Sequence, residues 1–252
     1  MINILKNFVK KILQYFNLTI INNNQKIIEL SNKDSELLEV ISKYSMTPKI
    51  RIYNLLQSLR HVKQKSIEGD FVECGVWKGG NIILFKKFIE KEFDNNGRTI
   101  FAYDTYEGMS EPSKEDYNIN SKISAKHLLD EDLKKKSNNW GICSLNDVKS
   151  NLLKNVSNIE NIKFIKGKVE ETLKVEKNLP SKISILRLDT DWYESTKIEL
   201  EILYNRVSPG GIIIIDDYGH WNGARKAVDE YFKGKFVWMH YVDYACRLII
   251  KD

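Results

Sequence analysis

Apolar positions along the chain follow two different rhythms. Before Gly69 they recur at three- and four-residue spacing. Ile4, Leu5, Phe8, Val9, Ile12, Leu13 and Phe16 share one helical face, with Lys6, Lys10 and Lys11 on the other; Ile52, Leu55, Leu56 and Leu59 repeat the pattern within 51–62. After Gly69 short apolar runs alternate with longer amphipathic stretches, the pattern of βαβ units and a parallel sheet. Strands are expected at Asp70–Cys74, Thr99–Tyr103, Lys163–Ile165, Ile183–Leu188, Gly211–Ile215, Phe236–His240 and Cys246–Ile250. Helices are expected at Gly80–Phe93, Ser195–Val207 and Gly223–Phe232, with Pro209 and Gly210 ending the second. The last two strands are too close for a crossover helix and should form an antiparallel hairpin. The fold class is therefore α/β: a doubly wound sheet of seven strands over 67–252, preceded by a helical extension over 1–66. Between the second and third strands, a polar insert over about 107–150 is long enough to serve as a lid.

Composition narrows the class. With 252 residues, 42% of them hydrophobic, the chain can bury one sizeable core. The net charge of +5 comes from scattered lysines, with no dense basic block alternating with aromatics, so nucleic acid is not an expected partner. Cys74, Cys143 and Cys246 form no paired spacing, Cys74 and Cys246 sit in apolar strand-like runs that suit buried thiols, and a reducing cytoplasm fits best. No run approaches the ~20 apolar residues of a membrane span. The first helix suits packing on its own domain or on a second subunit, a route to a homo-oligomer; a membrane-surface helix is the less favoured alternative.

Three strand ends carry chemistry. The first runs into Glu73, Cys74, Gly75, Val76 and, after Trp77 and Lys78, Gly79 and Gly80: an acid before a sparse glycine loop at a helix start. Such a turn lets backbone approach a ligand, and its departure from GxGxxG suits one without a pyrophosphate. The second strand ends at Asp104, placed to accept from ribose hydroxyls. The fourth ends in Asp189-Thr190-Asp191 and the fifth in Asp216-Asp217. Neighbouring parallel strands bring these four carboxylates to one sheet edge, where they repel unless a hard cation such as Mg²⁺ joins them. His220 lies beside them.

The pieces FVECGVWKGG, AYDTYEGM, SLNDVKSNL, LRLDTDWYEST and GGIIIIDDYGHWNGARKAVDEYF, in that order, resemble the macrocin O-methyltransferase family from about Thr47 to the C-terminus. The resemblance implies a Rossmann-like class I methyltransferase fold and transfer of a methyl group from S-adenosyl-L-methionine to a sugar hydroxyl of a glycan, nucleotide sugar or glycosylated natural product. It assigns Asp191, Asp216 and Asp217 to Mg²⁺ and Asp189 to proton removal. Glu73, Gly75, Val76 and Gly79 then belong to the cofactor loop, Asp104 to the ribose, and Gly167, Val169 and Glu170 to the adenine pocket. Lys78, Asn81 and the GHW triplet depart from the family pattern.

The chemistry is coherent with the residues. Displacement at a sulfonium methyl chiefly needs a positioned acceptor oxygen. A cation lowers the pKa of a sugar hydroxyl, and a carboxylate such as Asp189 takes its proton, with His220 the competing base. Trp192, Tyr193 and Trp221 either stack on a sugar face or pack in the core. A catechol O-methyltransferase, or a non-catalytic nucleotide- or sugar-binding protein on the same fold, are the alternatives.

Overall fold

The computed structural model describes residues 27–93, 97–135 and 141–252. The helix expected over the first 18 residues, with any subunit or membrane contact it makes, lies outside them. The chain divides into two compact units, 1–34 and 35–252.

In chain order the elements are α1 (Asn32–Ser42), α2 (Lys49–Gln64), β1 (Asp70–Cys74), α3 (Gly80–Glu92), β2 (Ile100–Asp104), α4 (Ala125–Lys135), α5 (Leu145–Leu153), β3 (Ile162–Lys166), α6 (Val169–Thr172), β4 (Ile183–Leu188), α7 (Tyr193–Leu203), β5 (Val207–Ile215), α8 (Asn222–Tyr231), β6 (Met239–Tyr241) and β7 (Arg247–Ile250). The seven strands lie in the order β3-β2-β1-β4-β5-β7-β6. The first five in that order pair in parallel; β7 runs antiparallel to both β5 and β6. Every residue of β4 is buried, as expected of a central parallel strand covered on both faces.

The order reverses between β1 and β4, and at such a switch point the loops leave in opposite directions and open a crevice. Backbone bonds continue past the strands and align their exits. The Gly75 amide donates to Tyr103 O at 2.9 Å, Asp189 to Cys74 O at 2.9 Å, Asp216 to Leu188 O at 3.0 Å and Gly167 to Asp104 O at 3.0 Å.

Three expectations shift. The packing break falls after residue 34 rather than 66, because α2 buries Ile52, Leu55, Leu56, Leu59 and Val62 against α3, β4 and β5. Helix α7 stops at Leu203 and β5 already starts at Val207, because the Lys251 ammonium caps the carbonyls of Tyr204 and Val207 at 3.0 and 2.6 Å. The insert, read as weakly periodic, contains α4 and α5. Helix α5 opens on Ser144, whose hydroxyl accepts from the Asp147 amide at 3.2 Å. Among the described residues no helix is long and apolar enough to cross a membrane, and all three cysteines are free and buried.

Candidate active site

A cavity of about 590 Å³ opens over the β1/β4 crevice. Of the residues singled out from sequence, Glu73, Gly75, Val76, Asp104, Gly167, Val169, Glu170, Asp189, Asp191, Asp216, Asp217 and His220 all line it. Gly79 does not: it starts α3 at a φ of 89°, and a Cβ there would face Val148 on α5.

The four carboxylates separate into two groups. Asp189, Asp191 and Asp217 each bring an oxygen within 4.8 Å of the others. Asp216 instead lies in an arginine clamp, 2.6 Å from Arg51 and 2.9 Å from Arg187. Burial alone would raise the Asp216 pKa, but Arg187 and then Arg51 outweigh it and hold the carboxyl below its usual range. In the trio the balance is opposite. Burial pushes Asp191 up to about 7, and repulsion from Asp189 and Asp216 adds to it. Asp217 is raised by burial and by Asp191. Asp189 is also raised by burial, although Arg187 holds one of its oxygens at 2.7 Å. Three raised carboxyls within reach of one point form an oxygen-only donor set short of positive charge, the environment a hard divalent ion fits. Asp191 has a φ of 69°, an uncommon backbone state for a residue with a side chain, and such strain clusters at functional sites.

On the β1 side, Gly75 has a φ of 90°, and a Cβ on it would meet Asp189 O at 2.0 Å. Only glycine lets the loop after β1 and the acidic turn pass this closely. Asp104 braces the loop: one oxygen accepts from the Val76 and Trp77 amides at 2.7 and 3.0 Å, the other from Tyr106 at 2.6 Å. Glu73 is buried. One of its oxygens accepts from Asn81 and Arg187, both at 2.8 Å, while Oε2 has no hydrogen-bond partner. Burial pushes this carboxyl up to about 7 despite Arg187.

The insert covers the cavity, contributing Met109, Leu128 and Asp132 among others. It is tied down by Asp116, whose carboxylate accepts from the Tyr193 amide at 2.8 Å, and by the Ile119 amide on His220 O at 2.9 Å. His220 itself is held on both ring nitrogens, Nε2 by the Asn118 amide and Nδ1 by the Tyr244 hydroxyl, each at 3.1 Å. Burial and then Arg51 lower its pKa, which keeps the imidazole neutral. Trp192 and Trp221 resolve towards packing: they meet edge to face at 5.2 Å in a small core with Ala125 and Ala224. Tyr193 points its hydroxyl at Glu230 on the surface.

Sequence reasoning missed two arginines. Arg187 is 2% exposed and contacts Glu73, Asp189 and Asp216; a cation inside a mainly apolar strand was the available signal. Arg51 joins Asp216 to Asp243 and shares a helical face with Leu55, Leu59 and Val62, a charge on an apolar stripe.

Comparison with known proteins adds an independent line. A model of the macrocin-O-methyltransferase family matches residues 9–246. Demethyldecarbamoylnovobiocin O-methyltransferase of Streptomyces niveus is 32% identical over 208 residues, which cover 80% of this chain and 70% of that protein. The 8-demethyl-8-(2,3-dimethoxy-alpha-L-rhamnosyl)-tetracenomycin-C 4'-O-methyltransferase of Streptomyces olivaceus is 31% identical over 188 residues, 74% of this chain and 66% of its own length. The chain thus spans about two thirds of each relative. The solved structure of the O-methyltransferase NovP superposes with a TM-score of 0.70 at 27% identity over 82% of each chain.

Proposed function

Because the chain belongs to the macrocin-O-methyltransferase family and is an S-adenosylmethionine-dependent O-methyltransferase, we propose that it methylates a sugar hydroxyl of a glycoside and that Mg²⁺ binds at its acidic trio. The observation that carries the metal is the convergence of Asp189, Asp191 and Asp217. The sugar is favoured by the relative from Streptomyces olivaceus, which is named for a 4'-oxygen on a rhamnosyl-bearing substrate.

The chain's own groups divide the work. Glu73, which lines the cavity and keeps its Oε2 unpartnered, would receive the cofactor's ammonium, and Gly75 lets the loop close on it. Gly167, Val169 and Glu170 wall the cavity beyond Asp104, where the nucleoside half would lie. Bound Mg²⁺ would supply Lewis-acid polarisation that lowers the pKa of an acceptor hydroxyl. The methyl carbon leaves the sulfonium sulfur as it bonds to the acceptor oxygen, and the hydroxyl proton passes to a carboxylate.

Asp189 was the base expected from sequence. Its ion pair with Arg187 occupies one of its oxygens and fixes the carboxyl in place, which fits it better to holding the cation with Asp217. Asp191, which makes no arginine ion pair among the described residues, is the better acceptor. His220, held through both nitrogens, orients the lid.

Methyl transfer to a panel of glycosides and simple catechols, followed by mass spectrometry with chelator and with added Mg²⁺, tests the proposal. Turnover of a glycoside that chelator abolishes and Mg²⁺ restores is expected; full activity in chelator sinks the metal, and turnover of catechols alone sinks the sugar. Asp191→Asn should cut turnover about 10²-fold while weakening the metal less than Asp189→Asn, which should lose it. The reverse pattern restores the roles expected from sequence.

A further inference from the structure

Beneath the cavity lies an acid that the chemistry above does not use. Glu199, on α7, has no exposed surface. Its Oε1 is 2.9 Å from the Thr190 hydroxyl, and Thr190 is the residue between Asp189 and Asp191. The Cys74 thiol is its other polar neighbour, at the end of β1 just before Gly75. Its Oε2 is buried with no hydrogen-bond partner of its own. The charged groups that act on it, Glu170 and Asp189, are themselves acids.

We propose that Glu199 is a positioning residue, held as a neutral carboxylic acid, that ties the acidic turn at the end of β4 to the start of the cofactor loop at the end of β1. An ionised carboxylate sealed from water, beside acids and with no ion pair among the described residues, would be very costly, whereas a carboxylic acid gains a donor. That O–H can serve the Thr190 oxygen or the Cys74 sulfur while the carbonyl oxygen accepts from the other. Both neighbours adjoin groups that must keep their spacing: Thr190 sits within the metal turn, and the Asp189 amide already donates to Cys74 O. Glu199 braces the same two strand ends through side chains. Burial also pushes its carboxyl well above the usual range.

The part of this inference that concerns metal rests on the Mg²⁺ site proposed above; the cofactor part does not. Two substitutions separate shape from charge. Glu199→Gln keeps one acceptor and one donor without charge, and should leave Mg²⁺ and S-adenosylmethionine affinities within about twofold of wild type. Glu199→Leu keeps the volume and removes both partners. By calorimetry it should weaken both affinities by roughly five- to tenfold, the size of a lost neutral hydrogen bond, with kcat reduced alongside. Thr190→Val breaks the tie from the other end and should weaken Mg²⁺ binding similarly, which keeps the test alive if the leucine variant does not fold. The infrared difference spectrum of wild type minus Glu199→Gln at neutral pH should contain the carbonyl band of a protonated carboxylic acid. A carboxylate band there, a glutamine variant as damaged as the leucine one, or unchanged affinities in both Glu199→Leu and Thr190→Val would overturn the proposal. Wild type that binds no Mg²⁺ would defeat the metal site alone, and the cofactor and infrared measurements would still decide the role of Glu199.

Discussion

Glu73 has two oxygens with different fates, one on Asn81 and Arg187 and one buried with no partner. Burial lifts its pKa from 4.5 to about 7, so in the free protein it holds a proton below that pH. A cofactor ammonium requires the carboxylate. S-adenosylmethionine affinity should therefore rise with pH through about 7, and Glu73→Gln should both weaken binding and flatten that rise in calorimetric titrations. The sign for stability is the opposite. A carboxyl with a raised folded pKa stabilises the fold fully below its unfolded value of 4.5, and that contribution is lost as pH rises through about 7. A flat affinity profile in wild type would place the ammonium elsewhere.

At the level of elements, the insert is fastened rather than loosely hinged along 113–125. Asp116 is buried; it accepts from the Ser113 amide and hydroxyl and from the first amide of α7, and Gly223 passes so close that a Cβ would sit 1.8 Å from its oxygen. An acceptor at a helix start contributes about 1 kcal/mol. Asp116→Ala should thus lower stability by about that much and free the insert, seen as faster proteolysis within 107–135 and a raised KM for the acceptor. Unchanged proteolysis would mean that the Trp192–Trp221 core alone holds the insert. The helices of this insert were only partly legible in sequence. Ser144-x-x-Asp147 is a helix-start signal that could have located α5, whereas α4 is mostly polar and announces itself only through the short apolar face of Ala125, Leu128 and Leu129.

For the molecule as a whole, the Arg51–Asp216 pair matters beyond the site, since it joins α2 to the exit of β5. Removing one partner of a buried ion pair leaves the other charge uncompensated, at a cost of roughly 3 kcal/mol. Arg51 keeps Asp243 and Arg187 keeps Glu73 and Asp189, so about 2 kcal/mol is the expected loss for Asp216→Asn. For a chain of this size that lowers the melting temperature by roughly 4–8 °C. Asp191→Asn, in the same metal-free buffer, should raise it by relieving repulsion within the trio. If both variants melt alike in chelator, the division of the carboxylates into clamp and trio is wrong.

The alternating apolar runs were enough to predict seven strands, the closing antiparallel hairpin and the edge where chemistry gathers, because strand period and strand ends are local properties written in consecutive residues. The acidic and glycine-bearing turns at those ends marked Glu73, Gly75, Val76, Asp104, Asp189, Asp191, Asp216 and Asp217 of the cavity lining for the same reason, while Gly167, Val169 and Glu170 came from the family resemblance. What the tertiary structure decided was the partnership among like groups. Asp189, Asp191, Asp216 and Asp217 are chemically equivalent along the chain, and only the arrival of Arg187 from within β4 and Arg51 from α2, 165 residues away from Asp216, separates the clamped carboxylate from the three that meet. Charge compensation acts through space over a few ångströms, so it follows distance in the fold rather than spacing in the sequence.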